Sequence, residues 1–441
     1  MEKIIEGKDW LRLRTHSVLE SLKSNEGEYV RLLGWVASKS VIGNIIFCLI
    51  RDGSGFIQVA GKKGITDENV LDAMRRASLE SAVMVGGFIR SDVRAPGGKE
   101  LSVKEFEIIA LADKWPITKS AIKSSSFLYD NRHLSIRGRK VISIMKIRSE
   151  LIYSSFDFFT KQGFHLINAP TLVQSACEGG ATLFNLNYFG KIAFLTQSAQ
   201  LYEEAAICAL EKVFVLQPAF RAEKSKTAKH LTEFWMLEAE QAFATHEDIM
   251  KLEEDLLYYI TSRVFEKCSE ELKTIGRKFS PPDPPFPRIT YDEAREIAMS
   301  KGIEFEWGDD IPTEAENILS KSFDKPFFIT GYPLSARSFY HMVDPNDERI
   351  TLSSDLIAPE GYGEIATGGQ RIHDYNTLLE RIRKQELPIE SFSWYLDLRK
   401  YGLPPHSGFG IGIERLLRWI CGLKHIRAST LFPRTITRIN P

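Results

Sequence analysis

The sequence has few cysteines, and they do not form a metal-binding pattern. The five cysteines of this 441-residue chain are scattered, and no two have the C-x-x-C spacing of a structural zinc site. Unpaired, dispersed thiols are typical of a reducing compartment. We therefore expect no structural zinc and a cytoplasmic location.

Long apolar runs are also absent. No segment reaches the roughly 20 apolar residues that a membrane-spanning helix needs, and the N-terminal MEKIIEGKDWLRLR lacks the hydrophobic centre of a signal peptide. The sequence thus predicts neither a membrane span nor secretion. Hydrophobic residues still make up 43% of the chain and charged residues 26%. This composition and length favour a globular protein of two or three domains.

The common glycine-rich nucleotide motifs are missing too. No G-x-G-x-x-G follows a strand and no G-x-x-x-x-G-K-[ST] occurs, which argues against Rossmann and P-loop nucleotide binding. A net charge of −1 excludes a global basic field, so any nucleic-acid binding depends on local patches. One patch has eight Lys/Arg and a single acid, Asp130, between Lys119 and Arg148. Two interpretations of this basic patch stay open: a solvent-exposed face without a partner, or a hinge between two domains that faces the phosphates of a nucleic acid.

Residues 1–112 predict a small β-barrel. Five segments show apolar alternation or β-branched enrichment, namely YVRLLGWVA, NIIFCLIRD, FIQVA, AVMVGGFIR and ELSVKEFEIIAL. A helical stretch, ENVLDAMRRASL, separates the third from the fourth. This order matches an OB-fold, a frequent platform for single-stranded nucleic acid, although other small barrels share it. We predict an OB-fold domain at 1–112, a basic hinge at 113–140 and a second domain at 141–441.

The second domain opens with an amphipathic helix, VISIMKIRSELIYSSFDFFTKQ, which we expect to end at Gly163. Further on, the stretch FRAEKSKTAKHLTEFWMLEAE predicts a hairpin of two strands. We expect Arg221 and Glu223 to share a face of the first strand, and Phe234 and Glu238 a face of the second. An arginine fork suits phosphate and an aromatic ring suits a base. The pattern indicates an ATP site, with a charged surface hairpin as the alternative.

A later stretch, HSGFGIGIERLLRWI, has the same character. It places three alternating glycines, ending at Gly412, before Glu414, Arg415 and an amphipathic helix. Glycines in a strand allow close approach of a ligand. Arg415, at the start of the helix, would point over the surface that these glycines form, the glycine floor. A glycine-rich strand packed on a helix is the alternative. Two separate arginine-bearing strands favour nucleotide binding.

These stretches resemble the signature motifs of class II aminoacyl-tRNA synthetases. FRAE…HLTEF resembles motif 2, GFGIGIER resembles motif 3, and FHLINAPTL, with Pro170, resembles motif 1, which lies at the dimer interface in the family. The N-terminal barrel, RHLSIR and SACEGGATLF are similar to the aspartyl/asparaginyl/lysyl group, and the resemblance covers residues 28–441. It implies an α+β fold, in which an N-terminal OB-fold β-barrel is joined to a catalytic domain with an antiparallel sheet flanked by helices.

The resemblance also implies how ATP is bound. Arg221 would bind the α-phosphate and its transition state, and His230 would meet the terminal phosphates. Glu223 would lie near the adenine or the tRNA 3′ end. Phe234 would stack on one face of adenine, with Arg415 on the other face, reaching the γ-phosphate.

Catalysis in this family needs no enzyme nucleophile, which agrees with the lack of a Ser/His/Asp triad in the motifs. The amino-acid carboxylate attacks the α-phosphorus, and a ribose hydroxyl of tRNA then attacks the adenylate. Arg221, Arg415 and Mg²⁺ would supply positioning and charge stabilisation. Asp355 and Glu364 match the magnesium-binding acids of the family, and Gly412 belongs to its ATP site.

The segment QSAQLYEEAA bears on the choice between aspartate and asparagine. Aspartyl enzymes resemble QSPQLYKQ here, with a lysine that binds the substrate carboxylate; this chain has Glu203 at that place. Asparaginyl enzymes carry glutamate at the position of Glu204. We expect Glu204 to accept from the amide NH₂, Arg371 to donate to the amide oxygen, and Glu203 to face solvent. A mismatched side chain leaves buried groups unpaired.

Other residues bear on the same choice. Glu238 matches the asparaginyl pattern, where aspartyl enzymes have aspartate. Glu178 and Gln200 would hold the α-ammonium group. One departure counts the other way, because TGGQRIHDY resembles the aspartyl form of that segment; Arg371 is present in both forms.

In the barrel, Phe47 and Gln58 match the family positions that stack on and read the middle anticodon base, although Phe47 would also suit a barrel core. Together the resemblance implies ATP-dependent ligation of asparagine to tRNA(Asn) through an asparaginyl-adenylate, in a cytoplasmic homodimer joined around Pro170. Three alternatives stay open. They are an aspartyl enzyme of relaxed specificity, a synthetase-derived asparagine synthetase that amidates aspartyl-adenylate, and a non-catalytic tRNA-binding paralogue. The retained barrel disfavours the second, and intact Arg221 and Arg415 disfavour the third.

Overall fold

The chain divides into two compact units. The computed structural model describes residues 8–174, 183–224 and 227–441. One unit comprises Met1–Leu128 and the other Tyr129–Pro441. The division falls within the stretch 113–140 that the sequence predicted as a basic hinge. Two arginines of that basic patch are bound inside the second unit. Arg132 donates to the carbonyl oxygens of Thr430 and Leu431, and Arg148 pairs with Glu414.

The first unit is an OB-fold barrel, as predicted. Its five strands close in the order β1-β2-β3-β5-β4, with α3 between β3 and β4. The helices are α1 (Trp10–Leu13), α2 (Val18–Lys23) and α3 (Glu68–Arg76), and the strands are β1 (Tyr29–Ile42), β2 (Ile45–Arg51), β3 (Phe56–Lys62), β4 (Ala82–Ser91) and β5 (Lys99–Ala110).

Strand alternation sorts the residues of the barrel. Cys48, Ile50 and Val59 point into the core and are fully buried, because successive side chains of a strand point to opposite faces. Their neighbours Phe47 and Gln58 therefore point outward and are half-buried. Phe47 is thus on the outer surface and not in the barrel core.

The second unit is built on an eight-stranded sheet. Its order is β12-β13-β16-β17-β18-β11-β10-β6, and the inner pairs are antiparallel, whereas the two edge pairs are parallel. Two smaller sheets accompany it, one of β7, β9 and β8 and one of β14 and β15. The strands of all three sheets are β6 (His165–Leu166), β7 (Leu172–Val173), β8 (Asn185–Tyr188), β9 (Lys191–Leu195), β10 (Lys212–Phe220), β11 (Glu233–Ala242), β12 (Arg288–Thr290), β13 (Phe327–Thr330), β14 (Val343–Asp344), β15 (Asp347–Thr351), β16 (Ser353–Ala358), β17 (Gly363–Gln370) and β18 (His406–Gly412).

Eleven α-helices follow α3 in the described residues, and the first of them spans the boundary between the two units. They are α4 (Ser125–Asp130), α5 (Arg132–Ser135), α6 (Arg139–Lys161), α7 (Gln200–Leu210), α8 (His246–Lys267), α9 (Ser269–Ile275), α10 (Tyr291–Ser300), α11 (Thr313–Lys321), α12 (Tyr375–Lys384), α13 (Ser393–Lys400) and α14 (Ile413–Ile420). Among the described ranges, no helix is both long and apolar enough to cross a membrane.

Two long helices, α6 and α8, cover one face of the large sheet. Phe159 of α6 stacks on Phe214 of β10, with ring centroids 4.7 Å apart, and Leu237 of β11 is fully buried in the same core. Gly163 follows the end of α6 in a left-handed conformation, φ +78°, as the sequence predicted. With one face of the sheet packed on these helices, the polar residues of β11 point to the opposite face.

Candidate active site

A cavity lies on the face of the sheet opposite α6 and α8. Residues along β11, β17 and β18 and at the starts of α7 and α14 line it. Nine of the residues predicted from the sequence meet there: Gln200, Arg221, His230, Phe234, Glu238, Glu364, Arg371, Gly412 and Arg415. The stretches FRAE…HLTEF and GFGIGIER, which lie nearly two hundred residues apart in the chain, therefore form one site.

The glycines of β18 make room for acids on the adjacent strand. Gly408 pairs with Glu240 and Gly410 pairs with Glu238 across the β11–β18 ladder. A Cβ at Gly408 would lie 1.7 Å from Glu240 Oε2, and one at Gly410 would lie 2.8 Å from Met236 Cε. The glycine floor formed by β18 therefore makes room for side chains of β11.

The structure corrects the positions of Arg221 and Glu223. Both were predicted on the face of a strand, but β10 ends at Phe220, and the two residues lie in the following loop. The Arg221 backbone N–H donates to Thr232 O at 3.1 Å, and the guanidinium lies 5.7 Å from the Phe234 ring centroid. Glu223 is next to His230, with 3.9 Å between its Oε2 and Nε2 of the imidazole. Arg221 and His230 line the cavity, whereas Glu223 does not.

Arg415 stands at the start of α14, as predicted. Its Nη1 lies 2.7 Å from Glu364 Oε1. Burial disfavours the ionised form of Glu364, but Arg415 and Arg221 outweigh this effect, so the pKa of Glu364 is lowered. The Glu364 backbone N–H donates to Glu316 Oε1 at 2.7 Å, and Glu316 in turn pairs with Lys229. This end of the cavity therefore concentrates cations, as a polyphosphate requires.

Asp355 and Glu364 lie on either side of one hydroxyl group. Thr367 Oγ1 is 2.8 Å from Asp355 Oδ1 and 3.3 Å from Glu364 Oε1. Arg337 Nη2 donates to Asp355 Oδ2 at 2.7 Å. Burial raises the pKa of Asp355 in spite of Arg337, and the neighbouring Glu364 raises it further. Two adjacent carboxylates that repel each other form a donor set that a hard divalent cation would stabilise.

The opposite end of the cavity contains the acids of β11. Glu238 accepts from the Ala199 backbone N–H at 2.9 Å and from the Ser198 hydroxyl. Glu240 and Arg371 form a bidentate pair, with Nε–Oε1 at 3.1 Å and Nη2–Oε2 at 3.3 Å. Arg371 is thus held by Glu240 while it still lines the cavity.

The predicted role of Glu204 does not fit this geometry. Glu204 is fully buried, and it does not line the cavity. Its Oε2 accepts from Tyr395, Arg399 and His406 at 2.7, 2.6 and 3.0 Å, and its Oε1 accepts from Gln200 at 3.0 Å. Burial disfavours the charge, but Arg399 and His406 outweigh it and lower the pKa of Glu204. Glu204 is a structural anion behind the cavity wall, not a group that faces the substrate.

Glu203 was predicted to face solvent, and this prediction is wrong. The residue is only 1% exposed and lines the cavity beside Glu238 and Glu240. Of the two adjacent glutamates of α7, Glu203 and not Glu204 therefore lines the cavity. Glu178, predicted to bind the α-ammonium group, lies in 175–182, outside the described residues.

The sequence did not single out two other residues of the site, although Lys229 belongs to the loop KSKTAKH, which was expected to bind the terminal phosphates. Glu240 lies two residues after Glu238 on the same strand, and alternation alone would have placed it on the same face. Lys229, in the loop between β10 and β11, lines the phosphate end and pairs with Glu316 at 2.7 Å. No local signal connects Lys229 with Glu316, because α11 lies almost ninety positions later in the chain.

The outer face of the barrel has its own polar and aromatic residues. Gln58 Nε2 donates to Glu100 Oε2 at 3.0 Å. Arg51 forms an ion pair with Glu80 at 2.7 Å and lies over the ring of Trp35, which is 43% exposed. Phe47 is on the same strand face as Arg51, because their positions in β2 differ by four, an even number. Aromatic side chains therefore lie on the outer face of the barrel.

Comparisons with known proteins agree with both units. Residues 124–436 match the family model of class II tRNA synthetases (D, K and N), and residues 30–109 match that of an OB-fold nucleic acid binding domain. The asparagine–tRNA ligase of Pyrococcus abyssi is 47% identical over 420 residues, which cover 94% of this chain and 97% of the relative. That of Koribacter versatilis is 45% identical over 438 residues, covering 96% and 99%.

A solved structure is similar along almost the whole chain. The crystal structure of asparaginyl-tRNA synthetase from Pyrococcus horikoshii complexed with asparaginyl-adenylate has a TM-score of 0.91 at 47% identity, and it covers 94% of this chain and 97% of that one. The family match spans more than two thirds of the chain and contains the cavity. The chain therefore belongs to the class II tRNA synthetases of the D, K and N group.

Proposed function

We propose that the protein ligates asparagine to tRNA(Asn) in two ATP-dependent steps, through an asparaginyl-adenylate. The observation that supports this most directly is the cavity, which has cations at one end and an acid-rich amino-acid end at the other. Relatives that are 43–48% identical to the chain are named asparagine–tRNA ligases, and a similar solved structure is of an asparaginyl-tRNA synthetase complexed with asparaginyl-adenylate. The proposed activity serves protein biosynthesis in the cytoplasm.

The chemistry follows from the positions of the charged side chains. The carboxylate of asparagine attacks the α-phosphorus of ATP, pyrophosphate leaves, and a ribose hydroxyl of tRNA then displaces AMP. Arg221 and Arg415 would stabilise the negative charge that develops on the phosphate oxygens. His230 and Lys229 would meet the terminal phosphates, and Phe234 would stack on adenine above the floor at Gly412. Glu223, beside His230, would approach the adenine or the tRNA end.

We propose that Asp355 and Glu364 hold Mg²⁺. The two carboxylates flank the Thr367 hydroxyl, and oxygen ligands of this kind suit a hard cation. When bound, Mg²⁺ would offset the charge of the triphosphate. Arg337 and Arg415 bind the same two acids and would hold them in position.

We propose that Arg371 and Glu238 recognise the amide of asparagine. A carboxamide needs both a donor and an acceptor from the protein, whereas a carboxylate needs donors alone. Arg371 would donate to the amide oxygen, and Glu238 would accept from its NH₂. Gln200 lines the same end of the cavity and would contact the α-ammonium group, with Glu178 in the same proposed role. Bringing an aspartate carboxylate among these acids would be unfavourable.

Amino-acid-dependent ATP–pyrophosphate exchange tests the proposed function. We expect exchange with asparagine, little with aspartate, and no asparagine or AMP formed from aspartate, ATP and ammonia. A chelator should remove the exchange, and Mg²⁺ should restore it. Exchange with aspartate in preference to asparagine would contradict the proposal, and formation of asparagine and AMP from aspartate and ammonia would favour an asparagine synthetase.

Phe47 and Gln58 are proposed to contact the anticodon. Replacing Phe47 with alanine should weaken tRNA binding by about tenfold, since base–aromatic stacking contributes roughly 1–3 kcal/mol. The measurement is the KM for tRNA in aminoacylation, and exchange without tRNA should not change. Phe88→Ala removes another exposed aromatic of the barrel, 40% exposed, and serves as the control. An equal loss in both variants would argue against a specific role of Phe47.

We propose a homodimer joined around Pro170. The small sheet of β7, β8 and β9 exposes several large apolar side chains: Leu172 is 46% exposed, Tyr188 46%, Phe189 93% and Ile192 70%. Such an exposed patch is typical of a protein interface. Ile192→Asp should shift the sedimenting mass from dimer toward monomer, whereas Val93→Asp, at a residue of the barrel that is 96% exposed, should leave it unchanged. A monomeric unsubstituted protein would contradict this proposal.

A further inference from the structure

Glu203 is a buried acid that faces the amino-acid end of the cavity. It lies in the first turn of α7, is only 1% exposed, and lines the cavity. Its Oε1 has no hydrogen-bond partner within the described part of the chain. A buried polar atom without a partner is unfavourable, and here it points to a group that the substrate supplies.

The surroundings of Glu203 are predominantly negative. Its neighbours Glu238 and Glu240 come from β11, and Glu204 is the next residue of α7. The cation that faces it, Arg371, is already bound by Glu240 through two nitrogens. Other titratable or charged groups near this end include Tyr395, Arg399 and His406, which bind Glu204, and Tyr340 and His341, which line the cavity.

These contacts favour the neutral form of Glu203. An ionised Glu203 would add a fourth carboxylate to a buried group of three, and no ion pair within the described ranges provides Glu203 with a cation, since Arg371 and Arg399 pair with Glu240 and Glu204. Burial is the largest effect on Glu203, and repulsion by Glu238 and Glu240 adds to it, so its pKa is raised well above the ordinary value of 4.5. Geometry and electrostatics therefore agree on a protonated side chain.

We propose that Glu203 acts as a neutral carboxylic acid that pairs with the side-chain carboxamide of the substrate. A protonated carboxyl presents one O–H donor and one C=O acceptor, and a primary amide presents the complementary C=O and N–H. Two hydrogen bonds can thus form side by side. The carboxylate of aspartate has no donor for the C=O of Glu203, and its charge would be repelled by Glu238 and Glu240. The inference rests on the proposed function, because it assigns part of the recognition of asparagine.

The test is the KM for asparagine in ATP–pyrophosphate exchange, measured against pH for the unsubstituted protein, E203Q and E203L. In the unsubstituted protein this KM should rise as the pH passes the raised pKa of Glu203, because the ionised form lacks the O–H donor. E203Q keeps a neutral donor and acceptor, so its KM should not show that rise. E203L should increase the KM by roughly 10- to 100-fold at all pH values. The KM for ATP, measured in parallel, should not follow either change.

Infrared difference spectra give a second readout that is independent of turnover. The unsubstituted protein should show the carbonyl band of a protonated carboxylic acid that shifts when asparagine binds, and E203Q should lack it. The inference is overturned if E203Q shows the same rise in KM with pH, if E203L binds asparagine as well as the unsubstituted protein, or if the band is absent. Loss of asparagine-dependent exchange in the unsubstituted protein would instead overturn the proposed function, and this inference with it.

Discussion

Replacing Arg221 with alanine is expected to reduce asparagine-dependent ATP–pyrophosphate exchange by about a thousandfold, because a preorganised donor to a developing negative charge contributes that much. Arg221 lies in the cavity directly after β10, where its backbone N–H is held by Thr232 O at 3.1 Å. The loss should be in kcat more than in the KM for ATP, since the contact strengthens in the transition state.

The controls for Arg221 separate charge from geometry. Arg221→Lys keeps the charge but not the planar fork, so it should recover only part of the activity. Arg349→Ala removes an arginine whose side chain is 70% exposed and which pairs with Asp347; it should exchange normally. Thermal unfolding and sedimentation of Arg221→Ala should match those of the unsubstituted protein. If Arg221→Ala retained its exchange activity, the phosphate role would be wrong.

Much of the architecture could be predicted because it depends on local patterns. Alternation placed Phe234 and Glu238 on one strand face, whereas the side of the barrel wall on which Phe47 lies was left open by the sequence and is given by the structure. Gly163 ended α6 as expected, since the left-handed conformation suits glycine. The pairing of the FRAE and GFGIGIER stretches was inferred from the resemblance, because β11 and β18 are far apart in the chain.

The identity of the glutamate that faces the cavity could not be predicted in this way. Glu203 and Glu204 are adjacent in a helix that is buried on several sides, so periodicity does not distinguish their directions. What decides between them is Arg399, on α13, which pairs with Glu204 from almost two hundred residues away. The same holds for Glu240 and Arg371, whose pairing is visible only once β11 and the end of β17 are in place.

The Glu204–Arg399 pair should have the largest effect on stability. Both side chains are fully buried, and Nη2 lies 2.6 Å from Oε2. Among the residues that the structure describes, Arg399→Met would leave the Glu204 carboxylate with Tyr395, His406 and Gln200 as partners. Removing one member of a buried ion pair costs about 3–5 kcal/mol, which for a unit of this size corresponds to a decrease in Tm of about 10 °C.

The pH dependence of this effect has a definite sign. In the unsubstituted protein the pKa of Glu204 is lowered, so its ionised form contributes stability above the unfolded value of 4.5, and this contribution is lost as the pH falls through the folded value. Arg399→Met removes a main cause of the lowered pKa. The decrease in Tm should therefore be largest near neutral pH and smaller in acid, where protonation neutralises Glu204.

A second substitution distinguishes a lost charge balance from lost packing. Glu204→Gln combined with Arg399→Met removes both charges, so it should recover most of the Tm, because the penalty of the single variant comes from the buried unpaired anion. Lys384→Met breaks an exposed pair with Glu380 and should leave the Tm unchanged. If the double variant unfolds at the same temperature as Arg399→Met, the packing of Arg399 against Tyr395 dominates, and the electrostatic explanation is wrong.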